Sequence, residues 1–501
     1  MSVLPDNPHD QLLDQNVNPR HWPKLPYRES YDFIAIGGGT AGLVSTGGAA
    51  MLGASVALIE RERLGGDCLV TGCVPSKALI HAVNSVHQAR HLNELGIKTG
   101  SIEVDFPAVM ENLRQQRAKI SYDDSALSVT DRGIELLHGT AQFTSPNTIE
   151  LNGETIRFKR AMICTGSRPR IPEVPGLKEI QPLTSDTVFN LTELPPRLAV
   201  IGTGPIGCEL GQSFARLGSK VTLIGTRDRV LPHDDLAAGK ILAEEFTKDG
   251  IELRLNAKTE RVSKSESGYK IEGNSDGTPW EIEVDKILVA TGRLPNIESL
   301  NLEAAGVAYT EHGVTVDDYQ RTSNKRVYAA GDISGQEKFT HAAYAYAEYA
   351  TLNALAPLRM FKSSKRHIPY STYTSPEVAH IGPTWEELQS RIESLDCYSE
   401  KFTSVDRSKI EGAALGFAKI YTERGKDKIV AATIVGQQAG ELIGHISLGL
   451  TANAGLEKLG LTVFPYPTRS EVVRKAADQY MFRKVTPLAK RMAKAWFRLM
   501  K

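Results

Sequence analysis

The sequence predicts an α/β fold, and three observations predict it. A glycine turn with the spacing G-x-G-x-x-G occurs twice, at Gly37–Gly42 and at Gly202–Gly207. Each copy follows an apolar run read as a strand and opens a helical stretch that leads into a second apolar strand. After about Ile368 the glycine turns stop, and alternating strands are interleaved with helices. The expected architecture is two dinucleotide-binding, Rossmann-like domains followed by an α+β C-terminal domain suited to dimerisation.

At 501 residues the chain is too long for one hydrophobic core. A formal net charge of zero and a pI near 7.2 give no bulk attraction to nucleic acid. Five cysteines cannot form a disulfide scaffold. The first 28 residues are polar and dotted with proline, without the apolar core of a secretory signal, and no later run is long enough to span a membrane. A cytoplasmic protein is expected.

In the first unit Tyr31–Ile36 is a buried strand, Leu43–Leu52 a helix, and Ser55–Ile59 a second strand ending at Glu60. Glycines let the backbone approach a pyrophosphate at the helix N-terminus, and the acid accepts hydrogen bonds from a ribose. Just beyond stands Gly65-Gly66-Asp67-Cys68-Leu69-Val70-Thr71-Gly72-Cys73-Val74-Pro75-Ser76-Lys77. If this segment opens a helix, Cys68 lies about one turn before Cys73 and the sulfurs can close a disulfide with little strain. A helix N-terminus and Lys77, one turn on, would acidify the thiol. Two buried cysteines or half a zinc site are the alternatives. Zinc would require a second close pair, whereas Cys164, Cys208 and Cys397 are scattered, and no metal is expected. The position directly after a nucleotide fingerprint favours a redox-active pair.

In the second unit the strand Arg197–Ile201 precedes the turn, and Lys220–Ile224 ends at Gly225-Thr226-Arg227-Asp228-Arg229. No acid stands where Glu60 stood. Arginines there suit a 2′-phosphate, so the reading leans to NADPH over NADH. Arg326–Asp332 reads as a strand ending in an acid at a glycine turn, with Asp332 placed to bind a polyol. Phe339-Thr340-His341-Ala342 then opens a helix whose N–H groups would face an electron-rich ring edge. The segments Ala161–Gly166 and Ile287–Gly292 look like chain crossings between domains.

Taken together over roughly residues 30 to 480, these stretches resemble the two-dinucleotide-fold flavoprotein disulfide reductases, the group containing glutathione reductase, dihydrolipoamide dehydrogenase and mercuric reductase. Gly65–Lys77, Gly139–Thr144, Thr165–Pro169 and Phe464-Pro465-Tyr466 are most similar to the mercuric-reductase-like branch. The resemblance implies an extension over 1–29, an FAD domain over 30–182 and 299–367, an NAD(P)H domain over 183–298, an interface domain over 368–480 and a terminal helix over 481–501, working as a homodimer. It implies FAD contacts at Gly37, Gly39, Thr40, Ala41, Gly42, Glu60, Gly66, Asp67, Cys73, Lys77, Ala141, Thr165, Gly166, Arg293, Gly331, Asp332, Phe339, Thr340, His341 and Ala342. NAD(P)H contacts are implied at Gly202, Gly204, Pro205, Ile206, Gly207, Glu209, Thr226, Arg227, Arg229 and Gly292. Cys73 would be the sulfur beside the flavin and Cys68 the sulfur that meets substrate, with Lys77 near the flavin and paired to Glu209 because a buried lysine needs a counter-charge.

Two departures bear on substrate. Where glutathione and lipoamide enzymes carry His-Pro-Thr-x-x-Glu, with the histidine as acid–base catalyst across the dimer, this sequence has Tyr466-Pro467-Thr468 and Glu471. A phenol near ~10 is a poor general base at neutral pH beside an imidazole near ~6.5. The tail has no cysteine after Cys397, whereas mercuric reductases carry a terminal cysteine pair that delivers Hg(II) to the inner thiols.

The end of the chain has its own pattern. Thr486-Pro487 is a helix start. Leu488, Met492, Ala495, Trp496 and Leu499 share one face, and Lys490, Arg491, Lys494, Arg498 and Lys501 lie on the other. Such a helix either packs on its own dimer or lies on an anionic membrane surface. The expected function is an FAD-dependent NAD(P)H oxidoreductase that reduces a Cys68–Cys73 disulfide and then a small disulfide, oxidised sulfur compound, quinone or metal ion. Dihydrolipoamide dehydrogenase is the alternative within enzymes. A flavin redox sensor or membrane-surface protein acting through the terminal helix is the alternative of another class.

Overall fold

A computed structural model describes residues 6–22 and 26–500. Pro5 and Pro23 of the N-terminal extension, and Lys501, lie outside the described residues. The chain divides into two compact units, Met1–Arg227 with Asp249–Arg366, and Asp228–Lys248 with His367–Lys501.

In the first unit the larger sheet runs Glu135–His138, Val56–Glu60, Ser30–Ile36, Glu154–Ile163, Thr148–Leu151 and Gln142–Ser145, with Val327–Ala329 also paired to Glu154–Ile163. The first four strands and Val327–Ala329 are parallel, and fully apolar runs such as Val56–Ile59 are buried on both faces as parallel pairing requires. Register decides what this sheet can do. Ile36 stands opposite both Ile59 and Ile163, and Ile163 opposite Ala329. Four strands therefore finish on one line, so the Gly37 turn, Glu60, Thr165-Gly166 and Gly331-Asp332 gather along a single carboxyl edge, where open parallel sheets take their ligands.

The second parallel sheet repeats the device. Its order is Glu252–Arg254, Lys220–Ile224, Arg197–Ile201, Lys286–Val289, with Ile201 opposite Ile224 and Val289. A three-stranded antiparallel ribbon, Ala257–Ser265, Gly268–Ser275 and Thr278–Val284, is inserted before its last strand. The chain crosses between the two folds through Ser167–Pro169 and returns through Arg293–Pro295, and these strands pair antiparallel.

Among the described residues, the N-terminal extension contributes a seated helix. Asn7 caps a helix, Pro8–Val17, by accepting from the backbone N–H groups of His9 and Asp10. Leu13 and Val17 are fully buried. Asp10, also buried, pairs with Arg117 at 2.5 Å and Arg114 at 3.6 Å, both on the helix Phe106–Ile120.

In the second unit a five-stranded antiparallel sheet runs Pro369–Thr372, Glu377–Ile381, Ile429–Gly436, Phe417–Glu423, Leu395–Lys401. Ala439–Thr451 and Glu471–Arg483 cover it, with Ile443, Ile446, Val472 and Ala476 in its core. The segment Asp228–Lys248 belongs to this unit. It is fastened by Asp235, which accepts from Lys419 Nζ at 2.8 Å and the Tyr421 hydroxyl at 3.1 Å. The last helix is Pro487–Leu499, started by Thr486, whose hydroxyl accepts from the Ala489 N–H at 3.1 Å.

Candidate active site

The two glycine turns are built alike. A Cβ on Gly37 would stand 2.4 Å from the Cys164 carbonyl oxygen, and one on Gly202 would stand 2.3 Å from that of Ala290. A Cβ on Gly42 would stand 1.9 Å from the Gly37 carbonyl oxygen, and one on Gly207 would stand 2.0 Å from that of Gly202. The outer glycines are thus required by close backbone packing. The middle glycine faces outward in each turn: Gly204 has no neighbour within 4 Å, and a Cβ on Gly39 would meet only the Gly66 Cα, at 3.8 Å. Gly39 and Gly204 are the N-caps of Thr40–Met51 and Pro205–Leu217, and among the described residues no side chain caps either helix. Each turn therefore presents orphan N–H groups and a positive dipole end with room for a phosphate.

Glu60 closes the first turn. Its carboxylate accepts from the Gly38 N–H at 2.5 Å and the Glu62 N–H at 2.6 Å, and burial holds its pKa above the ordinary carboxylate value. The second copy has no acid there: the strand ends at buried Gly225, packed on Thr203, and Thr226 and Arg227 are exposed beyond it. Ile206 and Pro205 lie in the first turn of that helix, and exposed Gly292, with a left-handed φ of +106°, immediately precedes the cross-strand Arg293–Pro295. Arg229, read with Arg227 as a phosphate contact, falls in the second unit, and its guanidinium donates to the Pro232 carbonyl oxygen at 2.6 Å.

The cysteine loop is sewn directly to the first turn. The Gly65 N–H donates to the Gly38 carbonyl at 2.9 Å, and a Cβ on Gly66 would stand 2.9 Å from the Gly39 Cα. The cysteines do not share one helix. Cys68 lies on a short helix, Gly66–Val70, and Cys73 is the first residue of a second, Cys73–Arg90. Gly72 turns the chain between them, with space for no Cβ: the Asp67 carbonyl oxygen would lie 2.7 Å away. The break does not part the sulfurs, because the Cys68 thiol donates to Cys73. Neither sulfur is joined in a disulfide in this structure.

The two thiols are made unequal. The Cys73 pKa is lowered to about 6 by the bond from Cys68, against the cost of burial, with help from the Thr340 hydroxyl at 3.2 Å and the charge of Lys77. The same bond and burial push the Cys68 thiol up. Cys73 carries the negative charge and Cys68 the proton. Lys77 Nζ in turn donates to Glu209 at 2.9 Å, the carboxylate being buried and the lysine about two-fifths exposed. Cys68, Cys73, Lys77 and Glu209 thus meet although the last comes from the second nucleotide fold.

Arg293, on the returning cross-strand, ties the remaining parts together. Its guanidinium donates to the Ser167 hydroxyl at 2.6 Å and carbonyl at 2.9 Å, and it pairs with Asp67. Ser167 donates to Asp332 at 2.5 Å, and Arg293 Nε lies 3.6 Å from the same carboxylate. Burial, only partly offset by Arg293, raises the Asp67 pKa to about 6. Gly331, with φ +84°, sits against Ala41, so the Asp332 turn rests on the first glycine turn. Gly166 is likewise left-handed at +65°, with nothing within 4 Å of a Cβ, and the Thr165 hydroxyl donates to the Asn296 carbonyl at 2.8 Å. Thr340 begins the helix Thr340–Leu355, which no side chain caps among the described residues, with Phe339 and His341 stacked at 5.5 Å and Ala342 buried beneath. Ala141 is buried in the sheet core. Uncapped helix starts, an outward middle glycine, and Asp332 at the strand ends fit a flavin dinucleotide.

Tyr466 and Glu471 lie in the second unit. The Tyr466 side chain is largely exposed, and its hydroxyl donates to Asp406 at 3.2 Å, which raises the phenol pKa further. Glu471 is buried, with one carboxylate oxygen lacking a hydrogen-bond partner among the described residues.

Ser167 and Arg117 escaped the sequence reading, which named Thr340 and Asp67 only as flavin contacts. Thr340 was expected at the nucleotide, not at the Cys73 sulfur. Ser167 and Asp67 gain their roles only through Arg293, 126 and 226 residues away. Arg117, fully buried, donates to the Val70 carbonyl at 2.8 Å, holding the end of the Cys68 helix, while its other arm grips Asp10. A buried arginine in an amphipathic helix carries no local sequence signal.

Comparison with known proteins agrees with this geometry. The family model described as pyridine nucleotide-disulphide oxidoreductase matches residues 31–348, and its dimerisation domain matches 368–477. A mercuric reductase of Bacillus cereus is 34% identical over 89% of this chain and 71% of its own length. A dihydrolipoyl dehydrogenase of Thermus scotoductus is 35% identical over 90% of this chain and 97% of its own. Among solved structures, the HOCl-induced flavoprotein disulfide reductase RclA from Escherichia coli superposes with a TM-score of 0.78 at 24% identity, over 89% of this chain and 99% of that one, a likeness of fold.

Proposed function

Because the chain belongs to the pyridine nucleotide-disulphide oxidoreductases, whose members bind FAD and NAD(P)H, we propose that it is a cytoplasmic homodimeric oxidoreductase that uses NADPH, or NADH, to reduce a Cys68–Cys73 disulfide and passes the electron pair to a small acceptor. The observation that carries this reading is the unequal thiol pair, with Cys73 held as thiolate by Cys68, Thr340 and Lys77. When bound, FAD relays the two electrons of the nicotinamide to the disulfide.

The chain's own groups divide the remaining work. Cys73 stores negative charge after the disulfide opens, while Cys68 keeps a proton until an acceptor approaches. Loss of that proton makes Cys68 the attacking or ligating sulfur, so a small disulfide, an oxidised sulfur compound, a quinone or a soft metal ion are the acceptors in reach. Glu209 neutralises Lys77 and fixes its position. Arg293 and Ser167 hold Asp67 and Asp332 at the nucleotide edge. Dihydrolipoamide oxidation, the rival reading, needs a base near neutrality at position 466, and the Tyr466 phenol, held protonated by Asp406, does not supply it.

An anaerobic NADPH titration of wild type and Cys73→Ala, followed by an acceptor panel, tests the proposal. A long-wavelength thiolate–flavin absorbance in wild type alone, with turnover lost in the variant, supports it. Equal quinone turnover in both proteins removes the cysteines from the route. Rapid lipoamide turnover by wild type would overturn the argument from Tyr466.

A further inference from the structure

The helix Pro487–Leu499 has no described partner: every residue from Lys484 to Met500 is exposed, and none of its side chains is buried. That is unusual for a helix with five large apolar residues and a sixth, Met500, at its C-cap. Leu488, Met492, Trp496, Phe497, Leu499 and Met500 are each between 61% and 81% exposed. At 100° per residue, Lys490, Lys494, Arg498 and Arg491 fall within one sector of about 100°, and the rest of the circumference is apolar. The charge is all of one sign: Asp478 is the last acidic residue, and Arg483 and Lys484 add two cations just before the helix. No helix among the described residues is long and apolar enough to cross a membrane.

A face meant for another protein surface would be expected to mix signs or to bury its apolar stripe. An uncompensated basic sector beside a wide apolar one, with Trp496 at the centre of the apolar sector and Phe497 at its border, is what an interfacial helix needs in order to lie in the headgroup layer. From this charge pattern we infer that Pro487–Leu499 is a docking helix for an anionic lipid bilayer, its apolar sector inserted among the acyl chains and Lys490, Arg491, Lys494 and Arg498 at the phosphate level. The inference is independent of which acceptor the enzyme reduces.

The test is vesicle co-sedimentation of the full-length holoenzyme with phosphatidylcholine alone and with phosphatidylcholine mixed with phosphatidylglycerol. Two variants accompany it: the charge variant K490Q/K494Q/R498Q and the apolar variant L488S/W496S. Light scattering on each protein reports its oligomeric state. Wild type should sediment with the mixed vesicles and only weakly with phosphatidylcholine. Each basic residue at an anionic surface is worth about fivefold in partitioning, so the charge variant should bind roughly a hundredfold more weakly. The apolar variant should also lose binding, while NADPH oxidation and the dimer persist in both. The inference is overturned if the two vesicle types bind alike, or if neither variant weakens binding. It is equally overturned if the apolar variant dissociates the dimer, since the stripe would then be a subunit contact.

Discussion

Replacing Thr340 with valine keeps the shape of the side chain and deletes the hydroxyl 3.2 Å from the Cys73 sulfur. A hydrogen bond to a charged group is worth about 1.5–3 kcal/mol, and about 1.4 kcal/mol corresponds to a tenfold change in proton affinity. The Cys68 bond and the Lys77 charge remain, so the lower part of that range applies. Cys73, with a pKa of about 6 in the wild type, should then titrate roughly one pH unit higher, near 7. Alkylation by iodoacetamide follows the thiolate, so the reduced protein can be sampled across pH and the Cys73 adduct quantified by mass spectrometry. The half-point should move upward in Thr340→Val and return in Thr340→Ser, which restores a hydroxyl. A half-point unmoved in the valine variant would refute the claim that Thr340 stabilises the thiolate.

Four further outcomes follow from the same geometry. Because the Cys73 pKa is depressed from its ordinary 9.0 to about 6, its contribution to the stability of the reduced protein is complete above pH 9 and is lost as pH falls through 6, which urea midpoints at fixed pH will report. Asp10→Ala leaves Arg117 fully buried and unpaired, at a cost of about 3–5 kcal/mol; the double variant Asp10→Ala/Arg117→Leu should recover part of that loss in a denaturant titration. Gly42→Ala places a Cβ 1.9 Å from a carbonyl oxygen and should abolish folding of the first turn, whereas Gly204→Ala meets nothing within 4 Å and should keep the melting temperature while raising the KM for NADPH. Tyr466→Phe removes a bond at an exposed side chain, so stability should change by less than about 0.5 kcal/mol in thermal unfolding.

Much of this was legible in the sequence because it is local. Strand, glycine turn, helix and second strand lie within thirty-odd residues of one another, and the positions of Gly37, Gly42 and Glu60 follow from their spacing. The Lys77–Glu209 pair, by contrast, came from the family resemblance rather than from local spacing, and the two side chains meet at 2.9 Å. The condition that one helix carries both Cys68 and Cys73 is not met, since Gly72 folds back on Asp67 and divides the segment into two helices. The polar composition of the N-terminal extension concealed Leu13 and Val17, two apolar residues one helical turn apart that suffice to seat it. The Arg293 network was illegible for a different reason: its members are brought together by sheet register and by the paired cross-strands, which no local pattern encodes.

The buried Asp10–Arg117 contact also bears on the order in which the protein is made. The first helix leaves the ribosome 107 residues ahead of the arginine that neutralises its only buried charge. Until Phe106–Ile120 has emerged, Asp10 has no reason to leave water and Val70 has no donor for its carbonyl. One guanidinium then seats both. The end of the Cys68 helix can therefore be fastened from Arg117 only once that residue has emerged, and the same guanidinium seats Asp10.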